Sequence, residues 1–148
     1  MSHSEPPAAV VRRVLPASPD VVYDEWLDAD AFAEWMCPRP ARATKIELDP
    51  RIGGRLRIDI DDGGFMLYVT GRYVDLDRPH RLAFTWKCST WAPSDQDSVV
   101  TVTLEPQDDR HTLMTIHHAL LPPELIGGHQ QGWTRIAEQL DDILRARS

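Results

Sequence analysis

From residue 42 to residue 118 apolar side chains return at every second position, and from residue 126 onward they return at the spacing of a helix. This change of period constrains the fold most. Period 2 gives a strand with one buried face, and a period near 3.6 gives a helix with one buried stripe. Leu56, Ile58 and Ile60 alternate with Arg55, Arg57, Asp59 and Asp61. Leu82, Phe84 and Trp86 share a face, as do Val100, Val102 and Leu104, and then Met114, Ile116 and His118. Turn residues part these segments at Gly53 and Gly54, at Asp62 to Gly64, at Asp77 to His80 and at Pro106 to Arg110. Hairpin follows hairpin, so the sheet is an antiparallel meander. The tail then sets Ile126, Trp133, Ile136, Ala137, Leu140, Ile143 and Leu144 on one stripe, with Gln130, Arg135, Glu138, Asp141, Asp142 and Arg145 on the other side.

Ahead of the meander, Ala8 to Leu15 reads as a first strand stopped by Pro16. Ser18, Pro19 and Asp20 form a helix start, and Asp28 or Asp30 caps a second short helix carrying Phe32, Trp35 and Met36. The expected fold is α+β: a curved antiparallel sheet of six to seven strands wrapped around a long C-terminal helix, with two short helices after strand one. A strongly curved sheet cannot follow a straight helix along its whole length, so a void between them is expected. Its walls would be Trp35, Ile58, Phe65, Phe84, Trp86, Val102, Met114, Ile116 and His118, with Trp133, Ile136 and Ala137 from the helix. The chain of 148 residues makes one domain, 8–146, behind a polar, proline-bearing tail over 1–7 read as disordered.

Charge removes several functions. With 16 basic against 23 acidic residues the net charge is −7, and no basic run occurs, which argues against nucleic-acid partners and anionic membrane surfaces. The longest uninterrupted apolar stretches are about five residues where a membrane span needs about 20. Cys37 and Cys88 lie in no metal or redox spacing and read as free thiols of a reducing compartment. The first seven residues carry no secretory pattern, so a cytoplasmic location is expected.

Few residues invite chemistry. His117 and His118 are strand neighbours that point to opposite faces, so they do not converge on a metal, and no cofactor motif is present. His118 has the inward parity and is the one weak catalytic candidate, with Tyr68, Tyr73 or Arg72 as partners. Tyr68 and Tyr73 take opposite parities unless a bulge near Gly71 shifts the register. The carboxylates Asp59, Asp61 and Asp62, Asp108 and Asp109, and Asp141 and Asp142 read as solvated charge. Gly53 and Gly54 read as a turn, since a strand and not a helix follows them. Gly132 beside Trp133 costs helix stability, which suggests a close backbone approach or room for an indole or a ligand.

Pro19 to Tyr23 with Trp26 and Trp35, Leu48 to Arg55, Gly71 to Leu76 with Arg81 to Trp86, Ser98 to Leu104 with Thr112 to His118, and Gly132 to Leu140 follow one another in order. Together these segments resemble the activator of heat-shock-protein ATPase homologue family, within the START-like helix-grip superfamily that also holds polyketide cyclases. The resemblance spans residues 8 to 146. It implies a sheet gripping a C-terminal helix, and a cavity that in many relatives holds an apolar or aromatic small molecule. Cys37 and Cys88 stand where the family usually has apolar residues, and Ile52 where a proline is common. Three functions follow: binding of an apolar small molecule, acid–base chemistry in the same cavity as in cyclase, hydratase or hydrolase relatives, and stimulation of a chaperone ATPase. The last attaches to larger two-domain eukaryotic proteins, and here there is a single module. Open sheet edges or the Trp91 loop leave a homodimer as a further expectation.

Overall fold

The structure is a computed structural model, and it describes residues 7–147. Residues 1–7, read as a disordered tail, lie outside the described part except for Pro7. Strand β1 (Ala8–Leu15) leads into helices α1 (Pro19–Leu27) and α2 (Ala29–Trp35). The meander follows as β2 (Arg42–Leu48), β3 (Arg55–Asp62), β4 (Phe65–Asp77), β5 (Arg81–Cys88), β6 (Ser98–Asp108) and β7 (His111–Ala119). A 3-10 turn at Pro123–Leu125 opens the long helix α3 (Ile126–Arg147).

The sheet has seven strands in the order β1-β7-β6-β5-β4-β3-β2, every pair antiparallel. The two short helices carry the chain from one edge strand to the other, and the meander returns it to pair β7 with β1. This is the helix-grip arrangement expected from the two periods. Parity holds along each strand: Leu56, Ile58 and Ile60 are buried while the flanking Arg55 and Asp62 are exposed. Tyr73 is buried and Tyr68 is exposed, as opposite parities require. The register shift of β4 falls between Tyr73 and Asp75, beyond both tyrosines. Gly71 serves a different purpose, because a Cβ there would lie 1.8 Å from the Thr85 carbonyl oxygen. At the β2–β3 turn Gly53 takes φ +81°, and a Cβ on Gly54 would meet the Asp49 carbonyl oxygen at 1.9 Å.

Ser18 occupies the N-cap of α1, but its side chain makes no capping bond; its carbonyl accepts from Val22 N–H. Asp28 does cap α2, its Oδ1 accepting from the N–H groups of Asp30 and Ala31 at 3.0 and 3.2 Å. These helices deliver Trp26, Phe32 and Trp35 to the interior, where the Trp26–Trp35 and Phe32–Trp35 ring centroids are 4.8 and 5.0 Å apart.

Helix α3 is tied to edge strand β1. The Gln130 side chain accepts from Val10 N–H and donates to the Val10 carbonyl, taking the place of a neighbouring strand. Asp141, expected on the solvated face, is 2% exposed and accepts from Arg13 Nε at 2.7 Å. The apolar stripe is flanked by a buried polar seam because β1 reaches further around the helix than the hydrophobic pattern reveals.

Candidate functional site

Most of the expected void is filled. Trp35, Ile58, Phe84, Val102, Met114, Ile116 and Ala137 are buried in the core and line no open space. Phe65 departs from expectation: it is 61% exposed. It has the inward parity, but its neighbour Met66, on the opposite face, is exposed as well. The β3–β4 tip therefore projects past the layer that the helices cover.

Space remains at the N-terminal end of α3, where a cleft of about 350 Å³ opens. Ile60 and Trp86 form its sheet side, and Gly128, His129, Gly132, Trp133 and Ile136 its helix side. Met36, Cys37 and Pro38 close the opposite wall, and Glu124 and Leu125 of the 3-10 turn stand at the mouth. Of the residues singled out from sequence, Trp86, Trp133 and Ile136 meet here. A Cβ on Gly128 would have nothing within 4 Å, and one on Gly132 would meet only Pro38 Cγ at 3.9 Å. Gly132 thus marks room and not a close backbone approach.

The wall at residues 36–38 is held by a residue the hydrophobic pattern gives no reason to notice. Gln139 donates from Nε2 to the carbonyls of Trp35 and Cys37, each at 2.9 Å, and its Oε1 accepts from Arg39 N–H at 2.9 Å. Between these anchors Cys37 adopts φ +83°, a left-handed conformation rare for a non-glycine residue. Burial pushes its thiol up to about 12, so this cleft-lining residue carries a neutral thiol. Cys88 lies outside the cleft lining, and both cysteines are free.

His118 is fully buried behind Trp133. The indole Nε1–H of Trp133 donates to His118 Nδ1 at 2.9 Å. Indole nitrogen can only donate, so His118 Nδ1 is unprotonated and the proton sits on Nε2. Nε2–H then donates to Ser98 Oγ at 2.7 Å, and Ser98 Oγ–H donates to the Trp86 carbonyl at 2.6 Å. The sheet register sets this up by pairing Trp86 with Ser98 and Val100 with His118. Every donor in the relay has an acceptor, and burial pulls His118 down to about 3. With both nitrogens engaged and no cleft exposure, His118 is not placed to move a proton on a bound molecule. Its expected partners are elsewhere: Tyr68 is exposed, Tyr73 is buried away from the cleft, and the Arg72 guanidinium donates to the Gly53 carbonyl.

His129 went unnoticed in the sequence because it falls in the glycine-rich start of α3, off the main apolar stripe. Its Nδ1 lies 3.0 Å from the Leu125 carbonyl oxygen, so Nδ1 carries the proton and Nε2 is left as an acceptor. Its ring meets His118 edge-on at 5.2 Å and Trp91 at 6.0 Å. Trp91, its loop expected as a dimer contact, is thereby half-buried against the cleft's histidine. Burial lowers the His129 pKa and favours the neutral ring. Among the described residues no group of three or more His, Cys, Asp or Glu could hold a metal ion.

The fold that carries this cleft has counterparts among known proteins. A family model described as activator of Hsp90 ATPase homolog 1-like protein matches residues 16–145. The chain belongs to this family. A Chromobacterium violaceum protein of solved structure shares 27% identity, with 93% of this chain and 97% of that one covered and a TM-score of 0.81. An AHSA1 protein of Silicibacter pomeroyi shares 22%, with 96% and 100% covered and a TM-score of 0.81. A Plasmodium falciparum protein described as an HSP90 activator shares 21%, with 93% and 95% covered and a TM-score of 0.76. No protein among the curated sequences matches the chain. Among the described residues no helix is long and apolar enough to cross a membrane.

Proposed function

We propose that the protein binds an apolar small molecule in the cleft at the start of α3, between Trp86, Trp133 and Ile136 on one side and Met36 to Pro38 on the other. One observation carries this reading. Gly128 and Gly132 sit one helical turn apart on the cleft wall, where a Cβ on the exposed Gly128 would meet nothing within 4 Å and one on Gly132 only Pro38 Cγ at 3.9 Å. Alanine would serve the helix better by about 1 kcal/mol at the interior position 132. The lining is dominated by apolar side chains with few polar groups, and its volume lies toward the small end of ligand sites. A ligand burying about 300 Å² of apolar surface gains on the order of 7 kcal/mol before ordering costs, which sets the tightest dissociation constant at roughly 10 μM. The interior residues Trp35, Ile58, Phe84, Val102, Met114, Ile116 and Ala137 support the walls rather than touch the ligand.

Two free thiols fit a reducing, cytoplasmic setting. Sedimentation velocity tests the accompanying proposal of a homodimer paired through the edge strand β2. The ligand reading is tested by titrating neutral apolar compounds while following tryptophan emission. Saturable quenching in the wild type that is lost in Gly128→Leu supports it. No response to any compound, or equal response in both proteins, overturns it. A second reading, stimulation of a chaperone ATPase, rests on the family description and on the P. falciparum relative's printed role. ATPase measurements with purified chaperone and this protein decide it.

A further inference from the structure

Resting on the ligand-binding reading, we infer that the cleft selects neutral aromatic molecules bearing a hydroxyl group and rejects carboxylates of the same shape. Charge is the first ground. Among the described residues no lysine or arginine lines the cleft, and the one carboxylate there is the exposed Glu124. An organic anion entering here would lose its hydration without gaining a counter-charge, and it would pass a like charge on the way. The second ground is a polar atom left over on the cleft wall. His129 spends its ring N–H on the Leu125 carbonyl, and its Nε2 has no hydrogen-bond partner among the described residues.

That atom is an acceptor. A hydroxyl can donate to it, whereas a carboxylate only accepts and would set its lone pairs against those of His129 Nε2. The aromatic preference rests on the walls, where Trp86 and Trp133 both line the cleft with ring centroids 5.3 Å apart. His118 contributes nothing to this choice, because its nitrogens are consumed by Trp133 and Ser98.

Naphthalene, 2-naphthol and 2-naphthoate, titrated at pH 7.5 against tryptophan emission, separate the possibilities. In the wild type 2-naphthol should bind about tenfold more tightly than naphthalene and at least about thirtyfold more tightly than 2-naphthoate, each tenfold step being the scale of one hydrogen bond to a buried group. His129→Phe keeps a ring of similar size without the acceptor, and the preference for 2-naphthol over naphthalene should fall several-fold. Glu124→Lys, at an exposed position, should strengthen 2-naphthoate several-fold while leaving 2-naphthol within a factor of two. Binding of 2-naphthoate as tight as that of 2-naphthol overturns the inference and leaves the ligand-binding reading standing, as does an unchanged preference in His129→Phe. Absence of binding by all three overturns both. If His129→Phe fails to fold, the comparison of wild type with Glu124→Lys still decides.

Discussion

Gly132→Ala separates the stability of α3 from the space beside it. The new Cβ would meet only Pro38 Cγ, at 3.9 Å, an ordinary van der Waals contact, so no strain opposes the change. The helix gains about 0.8–1.0 kcal/mol from propensity at this interior position. For a chain of this size about 1 kcal/mol raises Tm by about 3 °C. The same methyl enters the cleft between α3 and Pro38, so affinity for a neutral aromatic ligand should fall while stability rises. Urea unfolding followed by tryptophan emission should show a higher midpoint with an unchanged slope. Gly127→Ala is the control. Its Cβ also meets nothing within 4 Å, but Gly127 does not line the cleft. It should stabilise no more than Gly132→Ala does, because it sits in the first turn, and ligand affinity should not change. A destabilised Gly132→Ala, or one whose affinity matches Gly127→Ala, would refute the claim that this glycine keeps a binding space open.

Three further outcomes are expected. His118 has a folded-state pKa of about 3 against an ordinary value of 6.5, so the unfolded chain binds more protons between these limits. Stability should therefore be complete above about pH 6.5 and decline as pH falls, by about 2 kcal/mol at pH 5 from this group alone, and His118→Gln should flatten that part of the profile in denaturant titrations. Gln139→Ala removes three hydrogen bonds from the Trp35–Arg39 segment and should cost about 2–3 kcal/mol; because that segment carries a cleft wall, ligand affinity should fall with it. Iodoacetamide should label the native protein at half-buried Cys88 long before Cys37, whose thiol is buried and pushed up to about 12, and mass spectrometry after brief exposure should find one adduct rather than two.

The strands were legible because each alternation is long and uninterrupted, and the register it implies puts Met114, Ile116 and His118 on the inner face where the structure has them buried. Helix α3 was legible for the same reason. The cleft was only partly so. Trp86, Trp133 and Ile136 were visible as inward residues, but parity says which face a residue takes, not whether anything covers it; Phe65 shows the difference. Met36 to Pro38 reach the cleft through backbone bonds to Gln139, more than 100 positions away, and no local pattern encodes such a clamp. Asp141 was misplaced for the same reason, its partner Arg13 lying at the other end of the chain. His118 was correctly placed, but its role depends on whether its nitrogens are spoken for. Only the positions of Ser98 and the Trp133 indole answer that.

The five tryptophans supply the most direct test of where a ligand sits. Their indole N–H signals, resolved by ¹⁵N–¹H spectroscopy and assigned by single Trp→Phe variants, can be followed during titration with 2-naphthol. The signals of Trp86 and Trp133, which line the cleft, should shift saturably and together. That of Trp35, donated to Glu25 inside the core at 3.1 Å, should stay in place. No shift in the Trp86 and Trp133 signals at saturating 2-naphthol, or equal shifts in all five, would contradict binding in this cleft.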